Sequence, residues 1–183
     1  MESATDGYYV EKILAGKTAY FSALTDRYDK AIFSMIVKIT GNREDAEELT
    51  QDVFMKVYRS LSSFRSDSSF STWLYRIAYN TAISATRKQK TEWLSLDDIP
   101  PADTAEEDAE NHLAGLESEE QLKRLQKALE QLPPDDRALI LLYYPQEKTV
   151  DEISHIMHLS LPNVKTRLHR IRKKLLAMMT HEN

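Results

Sequence analysis

Residues 149–175 read TVDEISHIMHLSLPNVKTRLHRIRKKL, and this stretch decides the fold of the carboxyl-terminal part of the chain. Thr149 and Glu152 fit the capping box with which many helices begin. Ser160 is a suitable N-cap for a second helix, which tolerates Pro162 in its first turn. The pattern therefore predicts two helices that are joined by a short turn, the second of them strongly basic.

The second helix of this pair has an apolar stripe on one side. The stripe consists of Val164, Leu168, Ile171 and Leu175. At about 100° per residue these side chains point in one direction. The remaining positions carry polar and basic residues: Asn163, Lys165, Thr166, Arg167, His169, Arg170, Arg172, Lys173 and Lys174. A helix that is buried on one side and cationic on the other suits the DNA major groove. The alternative is a solvated helix whose Lys and Arg confer only solubility.

The net charge of −5 conceals a segregation along the chain. Residues 1–91 carry a net charge of +2, and residues 121–183 carry +4. Between them, residues 92–120 hold 11 acidic side chains and neither Lys nor Arg. The acidic balance comes from one segment, so it does not argue against a nucleic-acid partner. We interpret residues 92–117 as an acidic, flexible linker.

The chain reads as helical throughout. It has only four glycines and no sustained alternation of apolar residues, which argues against strands. Helical periodicity predicts helices over residues 8–14, 18–40, 43–61, 70–90, 118–132 and 135–144, followed by the pair described above. Gly41 is a signal for the end of the second of these helices, and Asn42 is a suitable cap for the third. We therefore predict an all-α fold with two small helical modules, residues 1–91 and 118–183, joined by the acidic linker. The second module ends in a helix-turn-helix.

Catalytic signatures are missing from the sequence. Without cysteine there is no disulfide framework and no thiolate metal site, which suits a reducing compartment. His155 and His158 form the closest histidine pair and lack a placed third ligand. No phosphate-binding glycine loop or nucleophile motif is present. We expect no enzyme activity, no catalytic residue, no metal and no cofactor.

The amino-terminal residues MESATDGYYVEK lack a basic start and an apolar run, so no signal peptide is expected. The longest apolar run, residues 138–144, is too short to span a bilayer. Both observations predict a cytoplasmic protein.

The predicted 70–90 helix combines aromatic and basic residues. We expect Phe70, Trp73, Leu74, Ile77 and Thr81 to face inward, and Tyr75, Arg76, Tyr79, Ile83, Arg87 and Lys90 to face outward, with Asn80 at the border. Aromatic rings stack on unpaired bases while cations hold phosphates, so this face suits single-stranded nucleic acid. Solvated tyrosines beside arginines are the alternative.

The preceding helix exposes a different, acidic face that includes Glu48, Gln51 and Asp52. Such a face repels DNA. It is either simply solvated or docks a basic protein helix.

Residues 45–90, DAEELTQDVFMKVYRSLSSFRSDSSFSTWLYRIAYNTAISATRKQK, strongly resemble the second conserved region of bacterial sigma factors. Residues 129–144, LEQLPPDDRALILLYY, together with the helix-turn-helix, resemble the fourth region. The two-module layout over about residues 8–176 is similar to the extracytoplasmic-function (ECF) group. The resemblance implies a promoter-specificity subunit that binds core RNA polymerase, recognises −35 and −10 elements of promoter DNA, and helps open the DNA.

The resemblance also implies a role for each surface. Glu48, Gln51 and Asp52 match the segment that docks on the clamp-helix coiled coil of the largest polymerase subunit. Recognition and melting of the −10 element are implied for Phe64, Arg65, Ser66, Asp67, Ser68, Ser69, Tyr75, Arg76, Tyr79, Asn80 and Arg87. Asn80 matches a pocket position for an unstacked base. Binding of the −35 element is implied for Asn163, Lys165, Thr166, Arg167, His169, Arg170 and Lys173.

Three further expectations come from the resemblance. An anti-sigma factor is expected as a further partner, and the acidic linker resembles the segment that threads toward the polymerase active site. The turn at residues 158–160 lacks the glycine often found there, so a non-glycine residue must supply the turn conformation.

Two other classes of protein remain open from the sequence. A conventional helix-turn-helix regulator would bind DNA without polymerase, although neither a dimerising heptad nor a sensor pocket is apparent. A helical adaptor would use the basic helix to bind an acidic protein.

Overall fold

The computed structural model of the chain describes residues 5–87, 109, 111, 115 and 118–181. Within these ranges all regular structure is helical, which confirms the all-α prediction. The amino-terminal helices are α1 (Asp6–Leu14), α2 (Tyr20–Thr40), α3 (Arg43–Ser60) and α4 (Phe70–Thr86), with a 3₁₀ turn at Leu61–Ser63. The carboxyl-terminal helices are α5 (Glu119–Gln131), α6 (Pro134–Tyr143), α7 (Val150–Met157) and α8 (Leu161–His181).

The chain divides into two compact units. The first contains α1–α4, and residues 155–158 group with it; the second contains α5, α6, α8 and the start of α7. Most of the predicted linker, residues 92–117, and the end of the predicted 70–90 helix lie outside the described residues. No described helix combines the length and the apolar composition that crossing a membrane requires.

The boundary between α2 and α3 is set by two adjacent residues. Gly41 ends α2 in the left-handed conformation, with φ of 72°, which glycine adopts without a steric penalty. The Asn42 side chain then accepts hydrogen bonds from the backbone N–H groups of Glu44 and Asp45, at 2.9 and 3.2 Å. Both signals were readable in the sequence, and both predicted boundaries are confirmed.

Helix α4 lies at the centre of the first unit. It packs against α1, α2 and α3, so more than one stripe of its surface is covered. As a result Tyr75, Tyr79 and Ile83, which the sequence analysis placed outward, are buried. That part of the prediction is wrong, because the sequence analysis assumed that only one face of this helix is covered by the rest of the protein. Phe70, Leu74 and Thr81 are buried as predicted, whereas Trp73 and Ile77 are half-buried.

In the second unit a buried arginine closes the end of α5. Arg137 Nη2 donates to the carbonyl oxygens of Glu130 and Leu132, at 2.5 and 2.9 Å. The last carbonyls of a helix have no partner within the helix, and a cation is favoured there by the helix dipole. Burial lowers the pKa of the Arg137 guanidinium, yet an arginine side chain stays charged. Arg137 therefore fixes the turn between α5 and α6.

The turn of the helix-turn-helix is made without glycine, as the sequence required. His158 adopts φ of 55°, and Leu159 N donates to Ser154 O at 3.1 Å. The capping box of α7 is present, since Thr149 N donates to Glu152 Oε2 and Glu152 N donates to Thr149 Oγ1. Ser160 Oγ accepts from Asn163 N at 3.4 Å and caps α8. The helix-turn-helix prediction is confirmed.

We predict that Arg137→Met lowers the free energy of unfolding by about 2–3 kcal/mol, because the buried Leu132 carbonyl and the partly buried Glu130 carbonyl lose a charged donor while the apolar volume is kept. Urea unfolding followed by circular dichroism measures the change. Arg124→Met is the control: Arg124 pairs with Glu120 on the surface of α5, and its loss should cost less than about 0.5 kcal/mol. Equal effects of the two substitutions would contradict the role given to Arg137.

We predict that His158→Gly raises stability by up to about 1 kcal/mol, because the left-handed strain of an exposed L-residue is removed and is only partly offset by the greater entropy of glycine in the unfolded chain. His158→Val should destabilise the chain, since a β-branched residue is poorly accommodated at positive φ. Thermal unfolding distinguishes the three proteins. A stabilising valine would show that the turn conformation is not what limits stability.

Candidate nucleic-acid interface

Helix α8 has the two faces that its sequence predicts. Val164, Leu168, Ile171 and Leu175 are all buried, which confirms the apolar stripe. Away from it, Asn163, Lys165, Thr166 and Arg170 are exposed, and His169 and Lys173 are half-buried. These side chains form a surface with several cations and hydrogen-bond donors, suited to phosphates and base edges.

Two cations near this face are not on the surface. Arg172 and Lys174 are buried, although the sequence placed them on the flanks of the cationic face. The Arg172 guanidinium lies 5.1 Å from the ring centre of Tyr143, and its Nε donates to the Tyr144 hydroxyl at 2.9 Å. The aromatic pair at the end of α6 covers this side of α8, which the periodicity of α8 alone does not reveal.

Arg167 is also engaged within the second unit. Its Nε and Nη2 atoms donate to Asp136 Oδ1 at 3.2 and 2.5 Å. Asp136 belongs to the first turn of α6 and is 5% exposed. Arg167, one of the predicted −35 residues, is therefore paired with a carboxylate of this chain.

A cleft of about 410 Å³ opens beside α8. Its walls include the cationic side chains Lys165 and Arg172, together with Tyr143, Thr166 and His169. A cleft with this lining is suited to an anionic oxygen such as that of a phosphate. It adjoins the exposed face of α8, so the two features form one cationic surface.

In the first unit, residues 64–69 form a loop that is held at both ends. The Phe64 ring lies 5.8 and 5.3 Å from the ring centres of Phe70 and Trp73. At the other end, Ser69 Oγ accepts from Thr72 N at 3.0 Å and caps α4. Between the anchors Arg65, Ser66, Asp67 are exposed and Ser68 is half-buried, with Ser66 at φ of 59°. The loop thus presents short polar and charged side chains from a fixed frame.

Helix α4 presents a narrower polar face than predicted. Arg76, Asn80 and Arg87 are exposed and fall within about 40° of one another around the helix. Tyr75 is 3% exposed, and burial raises the pKa of its hydroxyl to about 12. Tyr75 and Tyr79 are therefore part of the packed structure rather than an open stacking surface, and the accessible polar groups of α4 include the two arginines and the Asn80 amide.

Helix α3 carries the acidic face at Glu48, Gln51 and Asp52, all exposed. An apolar strip that the sequence analysis missed lies beside it, because Met55 and Tyr58 are 49% and 45% exposed. They line a groove of about 640 Å³ with Phe21, Phe54 and Gln51, among others. Met55 and Tyr58 stand four and seven residues after Gln51, and this helical spacing was the signal that could have shown them on one face.

No group of three or more His, Cys, Asp or Glu in the part of the chain that the structure describes is arranged to hold a metal ion.

Comparison with known families assigns both units. Residues 24–92 match the model of sigma-70 region 2, and residues 122–175 match that of sigma-70 region 4. The first match covers most of α2–α4, and the second covers most of α5 through to the basic part of α8.

Characterised relatives match over almost their whole length. The ECF RNA polymerase sigma factor SigW of Bacillus subtilis is 32% identical, over 91% of this chain and 92% of its own. The ECF RNA polymerase sigma-E factor of Escherichia coli K12 is 32% identical, over 95% of this chain and 94% of its own. The RNA polymerase sigma-H factor of Pseudomonas aeruginosa is 31% identical, over 93% of this chain and 91% of its own.

Solved structures share the fold at lower identity. CnrH, determined in complex with the cytosolic domain of CnrY, superimposes with a TM-score of 0.72 at 22% identity, over 97% of this chain and 99% of its own. The sigma factor RpoE of Bartonella quintana, in complex with the anti-sigma factor NepR, superimposes with a TM-score of 0.65 at 22% identity. The match covers 89% of this chain and 98% of RpoE. With region 2 and region 4 in sequence order and full-length ECF relatives above 30% identity, the chain belongs to the ECF group of RNA polymerase sigma factors.

Proposed function

We propose that this chain directs core RNA polymerase to a set of promoters by binding the core, recognising −35 and −10 elements, and helping to open the DNA. Sigma factors are non-catalytic initiation factors, and core polymerase carries out the chemistry. On this proposal the chain acts in the cytoplasm, has no enzymatic activity of its own and needs no cofactor. The observation that carries the proposal is the presence of distinct surfaces, one cationic on α8 and one acidic and apolar on α3, within a chain of this family.

The second module, proposed as residues 118–183, binds the −35 element as duplex DNA. Exposed Asn163, Lys165, Thr166 and Arg170 on α8 supply donors, and half-buried His169 and Lys173 border them. Cations neutralise phosphates and fix the register, while donors at base edges give specificity. The sequence grouped Arg167 with these residues, but Arg167 forms an ion pair with Asp136 and has a different role.

The first module, proposed as residues 1–91, captures the −10 element after its strands separate. Loop residues 65–69 follow Phe64, whose ring packs on Phe70. Arg76, Asn80 and Arg87 form an exposed polar face of α4. Flipping a base out of the stack costs a few kcal/mol. Polar loop groups that bind the base, and arginines that neutralise the adjoining phosphates, would offset this cost.

The α3 face is the proposed docking site for core polymerase. Glu48, Gln51 and Asp52 offer charge to a basic partner helix, and Met55 with Tyr58 offers apolar area beside it. Charge complementarity raises the association rate and selects the partner, whereas buried aromatic and Met side chains supply most of the affinity.

Regulation by an anti-sigma factor is part of the proposal. The solved structure of the Bartonella quintana relative contains an anti-sigma factor, and a partner of that kind would silence this chain by covering its polymerase-binding surface. The linker, proposed as residues 92–117, could span at most roughly 90 Å when extended, which allows the two modules to reach separated promoter elements.

The decisive experiment is in vitro transcription with core RNA polymerase on templates whose promoter sequence is randomised. Transcripts that depend on the added chain should share two upstream elements. A chain that fails to associate with core polymerase in the absence of any inhibitor would overturn the proposal. Strong binding to a palindromic duplex without polymerase would instead indicate a conventional helix-turn-helix regulator.

We predict that Arg170→Ala weakens binding of the holoenzyme to the −35 element by about 1–3 kcal/mol if the guanidinium contacts a base edge. Footprinting and transcription on a selected promoter measure the loss. Lys123→Ala is the control, because Lys123 is an exposed cation on α5 that pairs with Glu119. An Arg170 variant with an unchanged footprint and unchanged transcript yield would rule out the assigned contact.

We predict that Asp52→Lys lowers the affinity for core polymerase about tenfold or more, because it places a cation opposite a basic partner surface. Pull-down with purified core enzyme over a range of chain concentrations measures it. Glu119→Lys makes the same charge change at an exposed position of α5, in the second unit, and should leave affinity nearly unchanged. Equal losses for the two variants would show that net charge, not the proposed face, controls docking.

A further inference from the structure

Four of the six Lys and Arg residues of α8 differ in how far their side chains are exposed. Lys165 and Arg170 are exposed. Arg167 is half-buried and Arg172 is buried, and they contact residues of α6 and the residue that follows it. The four are interleaved in sequence, so composition and motif matching treat them alike.

The Asp136–Arg167 pair has the geometry of a structural contact. Two guanidinium nitrogens, Nε and Nη2, donate to the same carboxylate oxygen at 3.2 and 2.5 Å. The side chains of Asp136 and Arg167 are 6% and 22% exposed. Asp136 lies in the first turn of α6, where a carboxylate is also favoured by the helix dipole. Pairing and position both stabilise this arrangement.

Reading of a base by the Nε–Nη2 edge of Arg167 would require this pair to break, because both atoms already donate to Asp136. The Asp136 carboxylate would then remain buried without its cation, which is strongly unfavourable. A guanidinium that is already shared with a carboxylate also contributes little net charge toward a phosphate. Arg167 is thus poorly placed to read or grip DNA, whereas its exposed neighbours Lys165 and Arg170 are well placed.

A second contact between the same elements lies further along α8. Arg172 stacks on Tyr143 and donates to Tyr144, at the end of α6 opposite Asp136. Positions 167 and 172 are separated by about 140° around α8. Two contacts that differ in height and in direction constrain the rotation of α8 about its own axis as well as its distance from α6.

We propose that Asp136 and Arg167 are a positioning pair: they hold the recognition helix at the rotation in which its exposed side chains meet the −35 base edges, and Arg167 does not itself read a base. This inference rests on the proposed −35 function of α8. A rotation of only 10° moves a side-chain end by about 1 Å, which exceeds the range of a good hydrogen bond. Asp136, an acidic residue away from the DNA-facing surface, becomes necessary for promoter recognition.

The test uses holoenzyme assembled from core polymerase and the full chain, with duplexes selected from a library randomised over the −35 element. Asp136→Asn and Arg167→Gln should each weaken binding about tenfold and lower the preference at all −35 positions together. The double variant should bind no worse than either single variant, because the two residues act as one unit. Arg170→Gln, in contrast, should relax preference mainly at individual positions.

A different set of results would show that Arg167 itself contacts a base. If Arg167→Gln relaxes one position and leaves the others intact, while Asp136→Asn keeps or increases affinity because the guanidinium is released toward DNA, the proposal is overturned. Arg167→Lys decides the matter even if the other variants unfold. It retains a cation for Asp136, so a positioning pair predicts a wild-type preference profile, and a base reader predicts an altered preference at one position.

Failure of this inference is separable from failure of the sigma function. Every variant should retain core binding and should transcribe normally from a template whose −10 region is already open and which lacks a −35 element. Wild-type chain that fails in those two assays would refute the proposed function, whatever the variants do to −35 preference.

Discussion

Burial of four aliphatic side chains on α8 is the constraint on which the recognition surface depends. Val164, Leu168, Ile171 and Leu175 are removed from water, each contributing about 1.5–3 kcal/mol relative to exposure. These residues occupy one side of the helix, and Asn163, Lys165, Thr166 and Arg170 away from that side are exposed. Cations at those outward positions are therefore held on the surface by the packing of residues that have no contact with DNA.

The family's division of labour follows from different chemistry in the two units. Duplex DNA presents ordered phosphates and base edges, which suit a rigid cationic helix such as α8. A separated strand presents unstacked bases, which suit a loop fixed at its ends beside a helix that carries arginines and an amide. Docking on another protein requires neither, and α3, the proposed docking site, combines acidic side chains with exposed Met55 and Tyr58. One small chain holds all three kinds of surface because each needs only part of one helix or loop.

Sequence reasoning succeeded where the signal was local. The cap at Asn42, the capping box at Thr149 and the non-glycine turn at His158 depend on neighbouring residues, and the structure has all three. It failed where several elements converge. The burial of Tyr75 reflects the central position of α4, and the burial of Arg172 reflects a tyrosine pair from a different helix. Periodicity reports that a helix has a covered face, but not how many neighbours cover it or which cation has a distant partner.

The anchored loop in the first unit has a consequence for how members of such a group can diverge. Phe64 and Ser69 fix its two ends through ring packing and a cap, and neither interaction involves the side chains between them. Residues 65–68 can therefore be exchanged for those of a relative without moving the frame. On the proposed −10 role of this loop, stability and sequence preference are encoded at separate positions, so a new promoter specificity can arise by exchange of four adjacent codons without repacking the hydrophobic interior.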